Sequence, residues 1–179
     1  MLLTWTDEIL RFWFDELDSK DWWNKNDATD ELITERFFEL WEEQKSRTVD
    51  DFLTAPETAL AATILFDQFP RNMFRDSADA FSTDHLAQQI AERAVDLELD
   101  EKLPEEQRAF LYMPFMHAED IQLQNKSVTL FTRLGSNQKF ANEHRDVIAE
   151  FGRFPHRNKI LGRQFRPGEQ DAIDAGARW

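Results

Sequence analysis

The 179-residue chain carries 35 Asp and Glu against 21 Lys and Arg, a net charge of −14 that repels phosphate backbones and anionic lipids and argues against nucleic acid or membrane as a partner. Sixteen Phe and six Trp supply more large apolar surface than a disordered chain carries, and the length suits one helical domain over residues 1–179, burying roughly two thirds of its unfolded surface. Zero Cys excludes disulfides, thiolate nucleophiles and cysteine zinc sites, and five scattered Gly form no G-x-G-x-x-G, P-loop or G-x-S-x-G, which removes glycine-based nucleotide cradles and the common serine-hydrolase turn.

The stretch from Met1 to Glu8 meets carboxylates before any base and predicts no secretory signal. The longest uncharged apolar-rich run, Ala59 to Phe66, falls far short of the roughly 20 residues a spanning helix needs, so the chain reads as cytoplasmic. Apolar residues recur at helical spacing nearly everywhere, which predicts an all-α fold. In the first helix Trp5, Ile9, Phe12 and Trp13 form one stripe, and Leu10, Phe14 and Leu17 fill the adjacent face. A helix apolar over so much of its circumference is either central or half of a homodimer interface. A turn-like stretch with Trp22 and Trp23 precedes a second helix over about 28–45, with Ile33, Phe37, Leu40 and Trp41 on one face.

Thr54 offers an N-cap with Pro56 just inside, opening a helix that Phe69-Pro70 should disturb or end. Thr83 and Asp84 start a helix reaching about Leu97. Pro104 fits the first turn of a fifth long helix, Pro114 bends its far end, and the break is expected near His117. A sixth helix runs from about Glu119 to Leu134 and stops at Gly135; Ser136 can cap a seventh that ends near Phe151-Gly152, and a short last helix follows Pro167. Short connections between these helices imply antiparallel hairpins stacked side by side.

Base is concentrated in one place: between Phe151 and Gly168 there is no carboxylate, while Arg153, Arg157, Lys159, Arg163 and Arg166 all fall there. Within that segment "GRFPHRN" (Gly152 to Asn158) echoes "DQFPRN" (Asp67 to Asn72), offset by the inserted His156. Phe can anchor each copy, Pro stops the helix and Asn closes a turn, which leaves the Arg without a turn-making task. Arg71, Arg75, Arg153 and Arg157 therefore form a candidate anion site for carboxylate or phosphate groups. The same arginines equally suit ion pairs with the chain's own surplus of acid.

Between the echoes, "FLYMPFMHAEDIQLQ" (Phe110 to Gln124) sets Tyr112, His117, Glu119 and Asp120 around the expected helix break. A His beside two carboxylates can act as acid or base, with His156 as a second candidate; alternatively Glu119 and Asp120 only stabilise the start of the next helix. A metal set of His117, Glu119, Asp120 and His156 would require the fold to bring His156 over and matches no standard spacing, so neither metal nor cofactor is expected. His85 and His144 read as solvated.

"RFWFDEL", "ILFDQFPRNMFR", "FLYMPFMHAED" and "FGRFPHRNKILGR", in this order, resemble the bacterial family catalogued as domain of unknown function 924, over nearly the whole chain. The resemblance implies a tetratricopeptide-like α-α superhelix and supplies no activity. It adds Asn72, Tyr112, Gln124 and Asn158 to the candidate ligand-binding residues. Ala118 stands where relatives often have Ser, which argues against a hydroxyl nucleophile. Phe165-Arg166-Pro167-Gly168 replaces a Ser/Thr-led start, so the last helix is expected to be shifted or poorly packed. The combined expectation is a binding module for an anionic small molecule or peptide terminus, with an acid/base enzyme and an interaction scaffold as alternatives.

Overall fold

Thr4 opens the first helix with a reciprocal cap: its hydroxyl accepts from the Asp7 amide at 3.1 Å, and the Asp7 carboxylate accepts from the Thr4 amide at 3.1 Å. The computed structural model describes residues 4–177; residues 1–3, on which part of the leader expectation rests, lie outside them. Helix α1 (Trp5–Arg11) runs into a wide turn with i to i+5 bonding, Phe12–Glu16, and sends Ile9, Phe12 and Trp13 into the core. Its second apolar face is met within the chain: the Phe14 ring lies 5.9 Å from Trp22 and 5.6 Å from Phe110. Trp22 belongs to the short α2 (Ser19–Trp23).

Helix α3 (Asp27–Gln44) buries Ile33, Phe37 and Trp41 on the predicted face. Phe37 sits 5.1 Å from Phe12 and 4.7 Å from Phe69, so three distant segments meet in one aromatic core. The centre is formed by α4 (Pro56–Thr63), which buries every residue from Ala59 onward, and α7 (Glu105–Met116), which does so from Ala109 onward. Beyond their first turns these two helices are buried all round. Around them stand α5 (Phe69–Met73), α6 (Asp84–Asp96), α8 (Ile121–Leu134), α9 (Gln138–Phe151) and the short α10 (Glu169–Asp174). In sequence order α7, α8 and α9 pack each against the next, α3 against α5, and α4 against both α6 and α7. The fold is all-α; the described residues contain no strand. No helix among them is long and apolar enough to cross a membrane.

Several local expectations are corrected. Of the two outcomes allowed at Phe69-Pro70, the helix is disturbed and not ended: α4 passes through a second wide turn, Ile64–Gln68, directly into α5. Pro70 has no N–H to offer the carbonyl of Phe66, and the Thr83 hydroxyl donates to that oxygen instead, at 2.8 Å. The cap before Pro56 is Ala55 rather than Thr54, because proline's fixed φ suits the first helical position and leaves the residue before it as the cap. Asn137, in left-handed conformation at φ 54°, precedes α9 in place of Ser136. The last helix is firmly tied, as described below. Pro114 and the break at His117 stand where they were expected.

Candidate functional site

The wide turn Ile64–Gln68 buries Asp67 completely, although a carboxylate needs strong compensation to leave water. His117, at the end of α7, supplies it: Nδ1 lies 2.8 Å from Oδ1 and 2.9 Å from Oδ2 of Asp67. Gln68 Nε2 donates to Oδ2 at 2.5 Å, and an Arg71 guanidinium nitrogen stands 3.4 Å from Oδ1. Burial pushes the Asp67 carboxyl up, but Arg71 and His117 outweigh it and hold the group down at about 2. The break that positions His117 is fastened from below: Gln124, fully buried, donates Nε2 to the carbonyls of Met116 at 2.6 Å and Ala118 at 2.8 Å.

The two sequence echoes meet at a residue neither contains. Arg71 forks onto Asp84, at 2.8 and 3.0 Å, and donates to the Asp67 carbonyl. Arg157 approaches the same Asp84 carboxylate at 3.6 Å and donates to the His117 carbonyl at 3.1 Å. Its guanidinium is sandwiched between Phe81, 4.5 Å away, and Phe154, 4.6 Å away. Arg157 is 7% exposed, and its buried Nε has no acceptor. Burial, and then the neighbouring Arg71, push its pKa down to about 10, which leaves it a cation at neutral pH.

The remaining candidates are engaged around this centre or away from it. Arg153 grips the fully buried Glu169 of α10 at 2.7 and 2.8 Å, and the same carboxylate accepts from Asn158 at 2.9 Å and from the Arg166 amide at 2.7 Å. Those donors hold the Glu169 carboxyl at about 2, Arg153 first among them, and anchor the last helix. Glu119 accepts a fork from Arg163 at 2.6 and 2.9 Å and the Phe154 amide at 2.7 Å, while Asp120 caps α8 through the amides of Gln122 and Leu123. Asn72 and Arg75 turn to Asp30 on α3, at 2.8, 2.5 and 2.7 Å. Tyr112 donates to Asp100 at 2.5 Å, well apart from His117 in its bonding.

His144 is corrected outright. It is 5% exposed, with Nδ1 2.8 Å from the Phe140 carbonyl, and its ring stands 6.5 Å from His117 and 5.5 Å from Phe154. The face of α9 that looked polar is covered by the segment that follows it. The His156 ring stands 5.7 Å from Phe154. Burial depresses both imidazoles, His144 to about 3 and His156 to about 4. Among the described residues no three His, Asp or Glu side chains converge as metal ligands.

Asp84, Phe81, Phe154 and His144 escaped the sequence reading as site residues. Asp84 carries no signal among 35 acids, and Phe81 and Phe154 look like any core aromatic. Asp67 had one: it opens the first echo, three residues before the proline expected to disturb or end its helix.

The site and fold define an all-helical protein with a buried ionic centre joining an Asp–His pair to an Arg–Asp–Arg array. Residues 9–177 match the model of a family described as bacterial protein of unknown function (DUF924), and the chain belongs to that family. A solved structure, the protein of unknown function ATU0120 from Agrobacterium tumefaciens, is similar over 96% of this chain and 97% of its own, at 38% identity and a TM-score of 0.90. No curated protein matches the chain.

Proposed function

We propose that the protein binds a small molecule or peptide terminus bearing a carboxylate or phosphate on the face built by Arg71, His117, His156 and Arg157. The observation that carries this reading is Arg157, a cation 7% exposed with one hydrogen bond, at 3.1 Å, and a buried Nε without an acceptor. Leaving a buried charged donor unmatched costs about 1–3 kcal/mol or more, which a bound oxyanion would offset. A guanidinium fork held between two rings is pre-organised for bidentate recognition. Consecutive packing of α7, α8 and α9 is in keeping with a tetratricopeptide-like hairpin array as the frame, and the acidic, cysteine-free composition with a cytoplasmic setting.

The test is a thermal-shift screen of carboxylates, phosphate monoesters and short peptides against wild type and Arg157→Lys, with circular dichroism to verify the fold of both. A ligand at a hundred times its Kd stabilises by about 2.7 kcal/mol. Arg157→Lys keeps the charge and lacks the fork, so it should lose that shift. A screen in which nothing raises the wild-type midpoint, or in which the lysine variant responds equally, refutes the reading.

The Asp67–His117 pair favours a second reading, acid/base catalysis on the same anion. A carboxylate on Nδ1 fixes the tautomer and leaves Nε2 as the proton acceptor. Turnover of a phosphate monoester or ester in the panel, abolished by His117→Gln with binding retained, would establish it; binding without turnover would exclude it for those substrates.

A further inference from the structure

On the side of α7 that faces α2, Trp22, Trp23, Phe110 and Met113 line a cleft of about 280 Å³ whose rim carries Glu105 and Glu106. It lies outside the ionic centre: none of Asp67, Arg71, Asp84, His117 or Arg157 lines it. Three observations set it apart from ordinary surface. Trp23 is 59% exposed, the highest value among the exposed large apolar side chains of the described residues, while twelve other aromatics are buried; covering its indole would be favourable. The two indole planes meet at 90°, with ring centres 6.5 Å apart, and both rest on Phe110, at 5.0 and 6.0 Å. Trp22 is held in that corner by its Nε1, which donates to the Trp13 carbonyl at 2.9 Å.

The rim gives the corner a sign. Glu105 and Glu106 are exposed and, among the described residues, neither has an ion-pair partner. Their place in the first turn of α7 is favourable in its own right, so it is the aromatic wall they border that points to an occupant. Aromatic faces and carboxylates both attract a cation, and an apolar wall favours one that sheds water easily, an alkylated ammonium over a metal ion. The net charge of −14 raises the local concentration of any such ion. The volume suits a head group of a few carbon atoms rather than a folded partner.

We propose that this cleft is a binding site for a small organic cation of the quaternary or alkylated ammonium class. The test is a tryptophan-fluorescence titration of the full chain with choline and with its neutral isostere 3,3-dimethylbutan-1-ol, at constant ionic strength. Choline is expected to quench saturably and to bind about tenfold more tightly than the alcohol, in line with a cation–π and charge contribution of that order. The double variant Glu105→Gln, Glu106→Gln should bring choline down toward the alcohol and leave the alcohol unchanged; Trp23→Ala should remove saturable binding of choline. All three positions are solvent-facing, and their variants are checked for folding by circular dichroism. Equal affinity for choline and the alcohol, binding indifferent to the glutamates, or no saturable binding at all would each overturn the proposal.

Discussion

Replacing His144 by Gln should make the protein markedly more resistant to mild acid. In the folded chain burial, helped by His117, Arg157 and His156, holds the His144 imidazole at about 3 against the opposing pull of the Phe140 carbonyl. In the unfolded chain an imidazole titrates near 6.5, so as pH falls through that value the unfolded state takes up the proton first. Stability is therefore complete above pH 6.5 and is lost as pH drops toward the folded-state value. At pH 5 a histidine so depressed has withdrawn about 2 kcal/mol, and His156, held at about 4 by burial and then Arg157, has withdrawn a similar amount. The carboxylates do not interfere in this window. Asp67 and Glu169, both held at about 2, stabilise above the unfolded carboxyl range and lose that contribution only below about pH 4.5. Urea unfolding at pH 7.5 and pH 5.0 should then show wild type losing about 4 kcal/mol, and His144→Gln about half of that. At pH 7.5 the variant should be the weaker by about 1 kcal/mol, for the hydrogen bond to Phe140. If the variant loses as much as wild type between the two pH values, buried neutral imidazole is not the source of the acid sensitivity.

Two further perturbations separate the ionic centre from its surroundings. Asp84→Asn removes the carboxylate between Arg71 and Arg157 and should cost about 3–5 kcal/mol in urea unfolding, with part of the loss recovered by adding Arg157→Leu, which withdraws the uncompensated cation. A loss under about 1 kcal/mol, or no recovery, would show that these charges are not coupled through Asp84. Tyr112→Phe leaves Asp100, 6% exposed, without its 2.5 Å donor and should cost about 1–3 kcal/mol while any ligand-induced thermal shift persists. Disappearance of that shift would move Tyr112 into the binding face.

The helices were legible because their causes are local. The i, i+4, i+8 spacing of Ile33, Phe37 and Trp41, the glycine after Leu134 and the proline at 114 act within a turn or two of chain. Where a local signal was overridden, a distant group had intervened: Pro70 reads as disturbing or ending its helix, and Thr83, the residue before α6, takes the carbonyl it orphans so that the helix runs on. The candidate residues divide in the same way. His117, Arg71 and Arg157 stood out as motif residues whose chemistry a turn does not require. Arg75, Asn72, Tyr112 and Arg153 stood out for the same reason, and Asp30, Asp100 and Glu169 engage them.

By itself, then, the sequence determined an acidic, all-helical chain with aromatic stripes, two arginine-bearing echoes and a helix break at His117, because composition, periodicity and proline act through nearest neighbours. Only the tertiary structure decided which of 35 acids meets which arginine, that His144 is buried, and that Arg157 alone of the motif arginines has a buried donor without an acceptor. Charges pair through space over separations of 13 to 73 positions along the chain, and nothing in the spacing of like residues records the choice of partner.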